Sequence, residues 1–339
     1  MVLKMDLEKI LEGFKKLKVA VIGDAMLDRY EWGVVDRISP EAPAPVVNVY
    51  RVSQNLGGSG NVAANVSSLG AKCSLYAVVG NDRDGEELRE LCNSAGIKTN
   101  FYADGNPTIT KNRIMGESAS KRGYFQQITR VDRGEYYLRE LKEIGQRYFL
   151  DIFEKSIEES DLLILSDYNK GIFSEKFAQE IIRISKARDV PVFIDPKPKN
   201  IRYFRGGTLI SPNRDEAEKI TGIGIITNGG IDNSRLLSAA EELKKKCLVD
   251  CCTITCDSEG VFYYRNNQDH GMVPAGTKKG KDVSGGGDTF LASVSLASAM
   301  GASLQYSVQF ANCVSGIVVE KYGVVVPTVK EIKERYKSD

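Results

Sequence analysis

Val19-Ala20-Val21-Ile22-Gly23-Asp24 is an apolar run that ends abruptly on a glycine and a carboxylate. The chain repeats this arrangement four more times. Leu162-Leu163-Ile164-Leu165 runs into Ser166-Asp167, Val192-Phe193-Ile194 into Asp195, Thr208-Leu209-Ile210 into Ser211-Pro212-Asn213, and Cys252-Thr253-Ile254 into Thr255. Continuous apolar runs, as opposed to alternating ones, indicate strands covered on both faces and hence a parallel sheet. Stretches of helical period lie between them, such as 173–188 and 233–246. The expected fold class is α/β, a doubly wound, mostly parallel sheet with helices on both faces. Such sheets bind ligands at the carboxyl ends of their strands, so the polar residues ending the five runs should converge on one crevice.

A second stretch, Lys281-Asp282-Val283-Ser284-Gly285-Gly286-Gly287-Asp288-Thr289, leads into a small-apolar segment without charge or proline through Met300. It reads as a buried helix starting near Gly286. Three glycines before a helix let the backbone turn sharply and present N–H groups, together with the positive end of the helix dipole, to a phosphate. Asp288 has two readings at this level. It accepts the proton of a hydroxyl that attacks the phosphate, or it is a helix-start residue of a glycine-rich turn. Gly57-Gly58-Ser59-Gly60-Asn61 is similarly double-edged, allowing either close approach of a ligand or tight helix packing. No G-x-G-x-x-G follows the first strand, so a dinucleotide-binding dehydrogenase is not supported.

Two stretches break the strand–helix alternation. Residues 30–54 have no helical period; Ser39-Pro40-Glu41-Ala42-Pro43-Ala44-Pro45 reads as stiff and extended, and Val46-Val47-Asn48-Val49 as a strand. Within 101–131, strands are expected at 108–115 and 124–131, partly alternating and so solvated on one face. Together they should form a small inserted β-flap, a lid over the crevice, within one domain spanning 1–339. The open edges of such a lid make a homodimer through it the expected assembly.

Composition narrows the function classes. At 339 residues and 42% hydrophobic the chain can bury a large core. Its net charge of +1, with no long basic run, argues against a nucleic-acid partner or a membrane surface. Residues 1–18 are charged and amphipathic and no 18-residue apolar run occurs, so a soluble cytoplasmic protein is expected. The single histidine, His270, argues against His-based triads. Among the seven cysteines, Cys247, Cys251, Cys252 and Cys256 lack C-x-x-C pairs and read as buried thiols.

Taken in order, Gly23-Asp24, Gly57-Gly58, Asn213-Arg214-Asp215-Glu216 and Asp282-x-x-Gly285-x-Gly287-Asp288 resemble the ribokinase (PfkB) family of carbohydrate kinases over nearly the whole chain. A narrower likeness, to the kinase part of the heptose enzymes of lipopolysaccharide-core synthesis, rests on further stretches. These are Gly23-Asp24-Ala25-Met26-Leu27-Asp28-Arg29-Tyr30, Arg37-Ile38-Ser39-Pro40-Glu41-Ala42-Pro43, Pro107-Thr108-Ile109-Thr110-Lys111, Ser166-Asp167-Tyr168-Asn169-Lys170-Gly171 and Asp195-Pro196-Lys197. That likeness implies transfer of phosphate from ATP, with Mg²⁺, to O1 of D-glycero-β-D-manno-heptose 7-phosphate. Another sugar acceptor, or a non-catalytic nucleotide- or sugar-binding regulator, are the alternatives.

The resemblance also implies roles. Asp288 becomes the base, and Gly285, Gly286 and Gly287 the backbone anion hole. Asn213 and Glu216 hold Mg²⁺, Glu216 through water, although the same pair at i and i+3 also reads as a helix cap. Lys197, Thr255, Gly260 and Asn312 lie along the nucleotide. Asp24, Asp28, Gly57, Gly58 and Asn61 form the sugar wall. Lys111 and Lys170, ahead of Arg113 and Arg37, are the cations for the sugar phosphate, and Asp167 orients Lys170. The chain departs from the family in three respects. Gly286 stands where alanine is usual, 116–123 reads as extra lid length, and the nucleotidyltransferase domain fused to some of these kinases has no counterpart, so that activity is expected elsewhere.

Overall fold

The computed structural model describes residues 7–118, 121–135, 140–227, 230–277 and 280–338. Strand β1 (Lys18–Gly23) is followed by a long hairpin, β2 (Ala25–Ile38) and β3 (Pro45–Gly58). Next come β4 (Lys72–Val79), β5 (Lys98–Ala103), β6 (Thr110–Ser118), β7 (Lys121–Arg133), β8 (Leu162–Ser166), β9 (Val192–Asp195) and β10 (Leu209–Ile210). A small hairpin, β11 (Ile226–Thr227) and β12 (Gly230–Ile231), precedes β13 (Cys251–Thr255), β14 (Val261–Asn266) and β15 (Asp269–Val273).

Nine strands form one sheet in the order β15-β14-β13-β10-β9-β8-β1-β4-β5. Every pairing from β13 to β5 is parallel; only β13–β14 and β14–β15 are antiparallel. All five expected apolar runs are in it, with helices Glu175–Lys186 and Asn233–Cys247 between them as the period indicated. The side chains of β1 show why the run is unbroken. Val19 and Val21 point into one buried cluster, with Phe290 and Val294 of the helix Gly286–Ala299. Ala20 and Ile22 point into another, with Phe149 and Phe177. Alternation along a strand selects a face, and here both faces are covered. Cys247, Cys251, Cys252 and Cys256 are buried thiols, and burial pushes Cys247 and Cys256 to about 12. Among the described residues no helix is long and apolar enough to cross a membrane.

The lid is a separate four-stranded sheet, ordered β3-β2-β6-β7. Its limits differ from those expected. The first hairpin starts at Ala25 and ends at Gly58, because pairing continues down to Ala25 beside Gly58, inside the crevice. Phe101 to Ala103 belong to the large sheet through β5, paired with β4, so the second lid segment starts at Thr110. Thr108 serves instead as a brace, its N–H and Oγ1 donating to Asp82 and its Oγ1 accepting from the Gly80 N–H. The proline-rich stretch is not extended. Residues 39–44 bend to close the hairpin, with the Ser39 N–H donating to the Ala44 carbonyl at 2.8 Å. In the reading of 116–123 as extra length, 119 and 120 lie outside the described residues. Tyr30, Trp32 and Met115 form the lid's own core, with Phe125 and Tyr322 against it.

Candidate active site

The glycine turn and the helix Gly286–Ala299 position the central carboxylate. Gly285 caps that helix in the left-handed region (φ 78°), and a Cβ there would meet Asn61 Nδ2 at 2.7 Å, so the position requires glycine twice over. Asp282 fixes the turn ahead of it, accepting from the Ser284 N–H and, across the fold, from the Gly323 N–H, both at 2.9 Å. At Gly286 a Cβ would lie 3.0 Å from Val319 Cγ1, so the departure from alanine is matched by its neighbour. The first amides of a helix have no intrahelical acceptor, and here Gly286 and Gly287 line a pocket.

Asp288, in the first turn of that helix, is 4% exposed. Its Oδ2 accepts from Asn61 Nδ2 at 2.8 Å and its Oδ1 from the Tyr168 hydroxyl at 2.7 Å. Asn65 in turn donates to the side-chain oxygen of Asn61 at 3.2 Å, which fixes the amide with its nitrogen toward Asp288. Burial raises the Asp288 carboxyl to about 6; the bonds from Asn61 and Tyr168 restrain that rise and the Asp28 carboxylate adds to it. Tyr168 is held well above the ordinary phenol range by burial and by Asp288, so it remains a donor.

On one side of Gly286 and Gly287 lies a pocket of about 230 Å³ lined by Thr255, Gly260, Gly276 and Asn312 as well. Three of the expected nucleotide residues therefore share one cavity with the glycine turn. Gly260 (φ 113°) lets the chain pass under the Val273 carbonyl, where a Cβ has no room. Asn312 Nδ2 donates to the Pro274 carbonyl at 2.5 Å and so anchors the opposite wall.

Lys197, Asn213 and Glu216 sit beside this pocket without lining it. Asn213 and Glu216 make a reciprocal capping box: Asn213 Oδ1 accepts from the Glu216 N–H at 2.9 Å, and Glu216 Oε2 from the Asn213 N–H at 3.0 Å. Glu216 Oε1 accepts from Lys197 Nζ at 2.6 Å. The capping reading of the pair is thus realised in full. A hydrated cation still fits, because Mg²⁺ keeps several waters and takes few protein oxygens, and Glu216 and the end of β9 at Asp195 present carboxylates there. No cluster of three His, Cys, Asp or Glu residues able to hold a metal occurs among the described residues. Burial pushes Asp195 well above the carboxylate range, Lys197 opposing and Glu216 and Asp288 reinforcing the rise. The Lys197 ammonium resists burial because Asp195 and Glu216 surround it, and its pKa is raised.

On the lid side the structure redistributes the expected roles. Asp24 already accepts from main-chain amides. Its Oδ2 accepts from the Tyr168 and Lys170 amides at 2.9 and 3.0 Å and its Oδ1 from the Ile172 amide, tying down the loop after β8. Asp167 does not orient Lys170; it accepts from the Asn169 and Lys197 amides and from Asn200 Nδ2, joining the loops after β8 and β9. Lys170 pairs with Glu135 at 2.6 Å. Asp28 Oδ1 pairs with Arg113, and Gly57 leaves the room that the Asp28 carboxylate occupies. Gly58 (φ 57°) places the chain against the Asp24 carbonyl. Lys111 lies 5.6 Å from the Tyr168 ring centre, and burial lowers its pKa, with the Asp28 carboxylate opposing and the Lys170 cation adding to the fall. Arg37 is exposed beside the 39–44 turn; nine residues of strand from Asp28, at ~3.3 Å each, place it about 30 Å away.

Tyr168 and Asp195 had no role assigned from sequence. Both lie at the ends of apolar runs, the position that marked the crevice, but a tyrosine there reads as packing until the helix 120 residues later is placed against it.

Comparison with known proteins bears on the family and the fold. The sequence profile described as pfkB family carbohydrate kinase matches residues 16–331. The chain is 38% identical over 323 residues to "Bifunctional protein HldE" of Nitratiruptor sp., covering 95% of this chain and 66% of that protein. A protein of the same name from Aliarcobacter butzleri is 35% identical over 322 residues, 94% of this chain and 64% of that one. The chain thus spans a little under two thirds of the length of these relatives. Phosphofructokinase-2 from Escherichia coli in complex with potassium has a TM-score of 0.75 at 16% identity, covering 95% of this chain and 98% of that one. Arabidopsis thaliana ribokinase complexed with ribose and ATP has a TM-score of 0.71 at 17% identity, covering 95% and 99%. At such identities the structures speak to the fold, and they show it to be ribokinase-like. With the profile covering nearly the whole of the described fold, the chain belongs to the pfkB family of carbohydrate kinases.

Proposed function

We propose that this chain transfers the γ-phosphoryl group of ATP to O1 of D-glycero-β-D-manno-heptose 7-phosphate, giving the 1,7-bisphosphate and ADP for ADP-heptose synthesis. The observation that carries the chemistry is the position of Asp288. It is a buried carboxylate held by two donors at the start of a glycine-turned helix, beside the pocket that holds Thr255, Gly260 and Asn312. The heptose acceptor is supported by the extent of similarity to the bifunctional relatives.

In this reading the Gly285, Gly286 and Gly287 turn and the first amides of the helix receive the γ-phosphoryl oxygens. Asp288 takes the proton of the sugar hydroxyl as that oxygen bonds to phosphorus and the bond to the ADP oxygen breaks. Mg²⁺, when bound near Glu216, neutralises phosphate charge. Lys197 exchanges its bond to Glu216 for a phosphate oxygen. The Asp28 carboxylate and the edge of the lid face the sugar, and Lys111, which has no ion pair among the described residues, meets its 7-phosphate. Lid closure excludes water from the transfer. Val49, Tyr50, Val52, Tyr124 and Val131 are exposed on the lid and support a homodimer through it.

The proposal is tested by ADP release with Mg·ATP and heptose 7-phosphate, ribose, fructose 6-phosphate or no acceptor, on a preparation shown by light scattering to be a dimer. Turnover on the heptose alone is the expected result. Preference for another sugar would reassign the acceptor, and no acceptor-dependent turnover would remove the kinase reading.

The acid limb of kcat/KM is expected near pH 6, where Asp288 protonates and can no longer accept a proton. The Tyr168 hydroxyl stabilises the charged carboxylate, so its loss raises the carboxyl pKa. Tyr168→Phe should therefore move the limb to higher pH, lowering activity at pH 7 and sparing it at pH 9. A limb that stays in place would show that Tyr168 does not set the base.

A further inference from the structure

At the opposite end of the large sheet, away from the crevice, the structure holds a cleft larger than the nucleotide pocket, about 560 Å³. Its walls carry Lys18, Lys72, Lys98 and Lys155, against one carboxylate, Glu159.

The register of the sheet places these cations. Lys18 of β1 sits directly beside Lys72 of β4, and Ser74, two residues on, directly beside Lys98 of β5. Residues in register on neighbouring strands share a face, as do residues two apart on one strand. Lys18, Lys72 and Lys98 therefore stand on one face across three adjacent strands. The same face carries Ala20 and Tyr76 further along, which pack with Phe149 and Phe153 of the helix Glu143–Ser156. That helix stops short of the strand starts, and its last turn brings Lys155 over the gap.

Like charges side by side on neighbouring strands repel, and little in the protein relieves them. Lys18 pairs with Glu159 at 3.0 Å, and that carboxyl is held below its ordinary range by Lys18 and, more weakly, by Lys98. Asp161 accepts from the Lys18 main-chain N–H at 2.7 Å. Lys72, Lys98 and Lys155 have no ion pair among the described residues. The cleft also exposes neutral groups suited to an oxyanion or a sugar, Ser74 and Ser160 among them.

We infer that this cleft is a second ligand site, for a small molecule carrying two or more phosphate groups. Four ammonium groups against Glu159, with the Asp161 carboxylate on the main chain of Lys18, leave an excess of positive charge that suits a diphosphate or bisphosphate. The volume falls within the ~300–1,000 Å³ of small-molecule sites. Exposed ammonium groups that converge on one anion each contribute through charge, so binding weakens as salt rises. The inference does not rest on the function proposed for the crevice, since the two sites lie at opposite ends of β1.

The test is calorimetric titration with inorganic pyrophosphate, with the crevice saturated by a non-hydrolysable ATP analogue and Mg²⁺. One further site per chain is expected. It should weaken at least tenfold in Lys72→Gln/Lys98→Gln and also at raised salt, while that variant keeps its melting temperature and basal turnover. ADP and fructose 1,6-bisphosphate as competitors then distinguish a nucleotide from a sugar bisphosphate as the source of the phosphates. No binding once the crevice is filled, or residual binding unchanged by the double substitution, would overturn the assignment. Should the double variant misfold, Lys98→Gln alone should weaken the site, and unaltered binding there would equally overturn it.

Discussion

Asp288→Asn should lower turnover by roughly 10²–10⁴-fold, the usual effect of removing a general acid–base group. Asparagine keeps the shape of the side chain but cannot accept the hydroxyl proton. The fold should tolerate it. The native carboxylate is buried at some expense, which is why burial pushes its pKa to about 6, and a neutral amide avoids that. Against this, the substitution turns one oxygen into a donor facing Asn61 Nδ2 or the Tyr168 hydroxyl, a loss of about 1 kcal/mol. Thermal stability should therefore stay close to wild type, and affinity for ATP should change little, since the 230 Å³ pocket lies beyond Gly286 and Gly287. Steady-state turnover alongside calorimetric ATP binding separates the two. Activity within tenfold of wild type would remove Asp288 from the chemistry.

Asp28→Ala should be the most destabilising of the site substitutions, by about 3–5 kcal/mol, because it strands the partner of a buried ion pair. The side chains of Asp28 and Arg113 are only 5% and 12% exposed, and Arg113 also lies 5.2 Å over the ring of the fully buried Tyr30. An unpaired guanidinium there has little water and only the weaker influence of the Asp282 carboxylate. Replacing both partners with apolar residues, Asp28→Leu with Arg113→Met, should recover most of the stability without recovering sugar affinity. Denaturant unfolding of the single and double variants measures the first, and KM for the acceptor the second. A single-variant loss under 1 kcal/mol would show that the pair is not held as tightly as its burial implies.

Much of the site was readable from local sequence. The helix start at Gly286 followed from three glycines and a charge-free segment, features that act within a few residues. Thr255, Gly260 and Asn312 fell on the expected pocket because each lies at a strand end, at a turn, or on the helix that follows the signature. The role of Asp167 was misjudged and the main-chain partners of Asp24 went unforeseen for a common reason. A carboxylate at a strand end reads as open to ligand, but its neighbours are loops from other strands, and those loops, at 168–172 and 197–200, also donate to its oxygens. The lid was found but misplaced at its edges, since apolar residues such as Ala25, Met26 and Leu27 look alike whether they pair with β3 or with the large sheet.

The sequence by itself determined the parallel sheet, the glycine turn at the start of a buried helix and the presence of an inserted lid, because each follows from periodicity or backbone chemistry acting between near neighbours. The tertiary structure alone decided which groups surround Asp288. Tyr168 and Asn61 reach it from 120 and 227 residues away, and Lys197 reaches Glu216 only once β9 and β10 lie side by side. Contacts of that kind depend on strand order and register, which bring distant side chains to hydrogen-bonding distance and leave no trace in the spacing of residues along the chain.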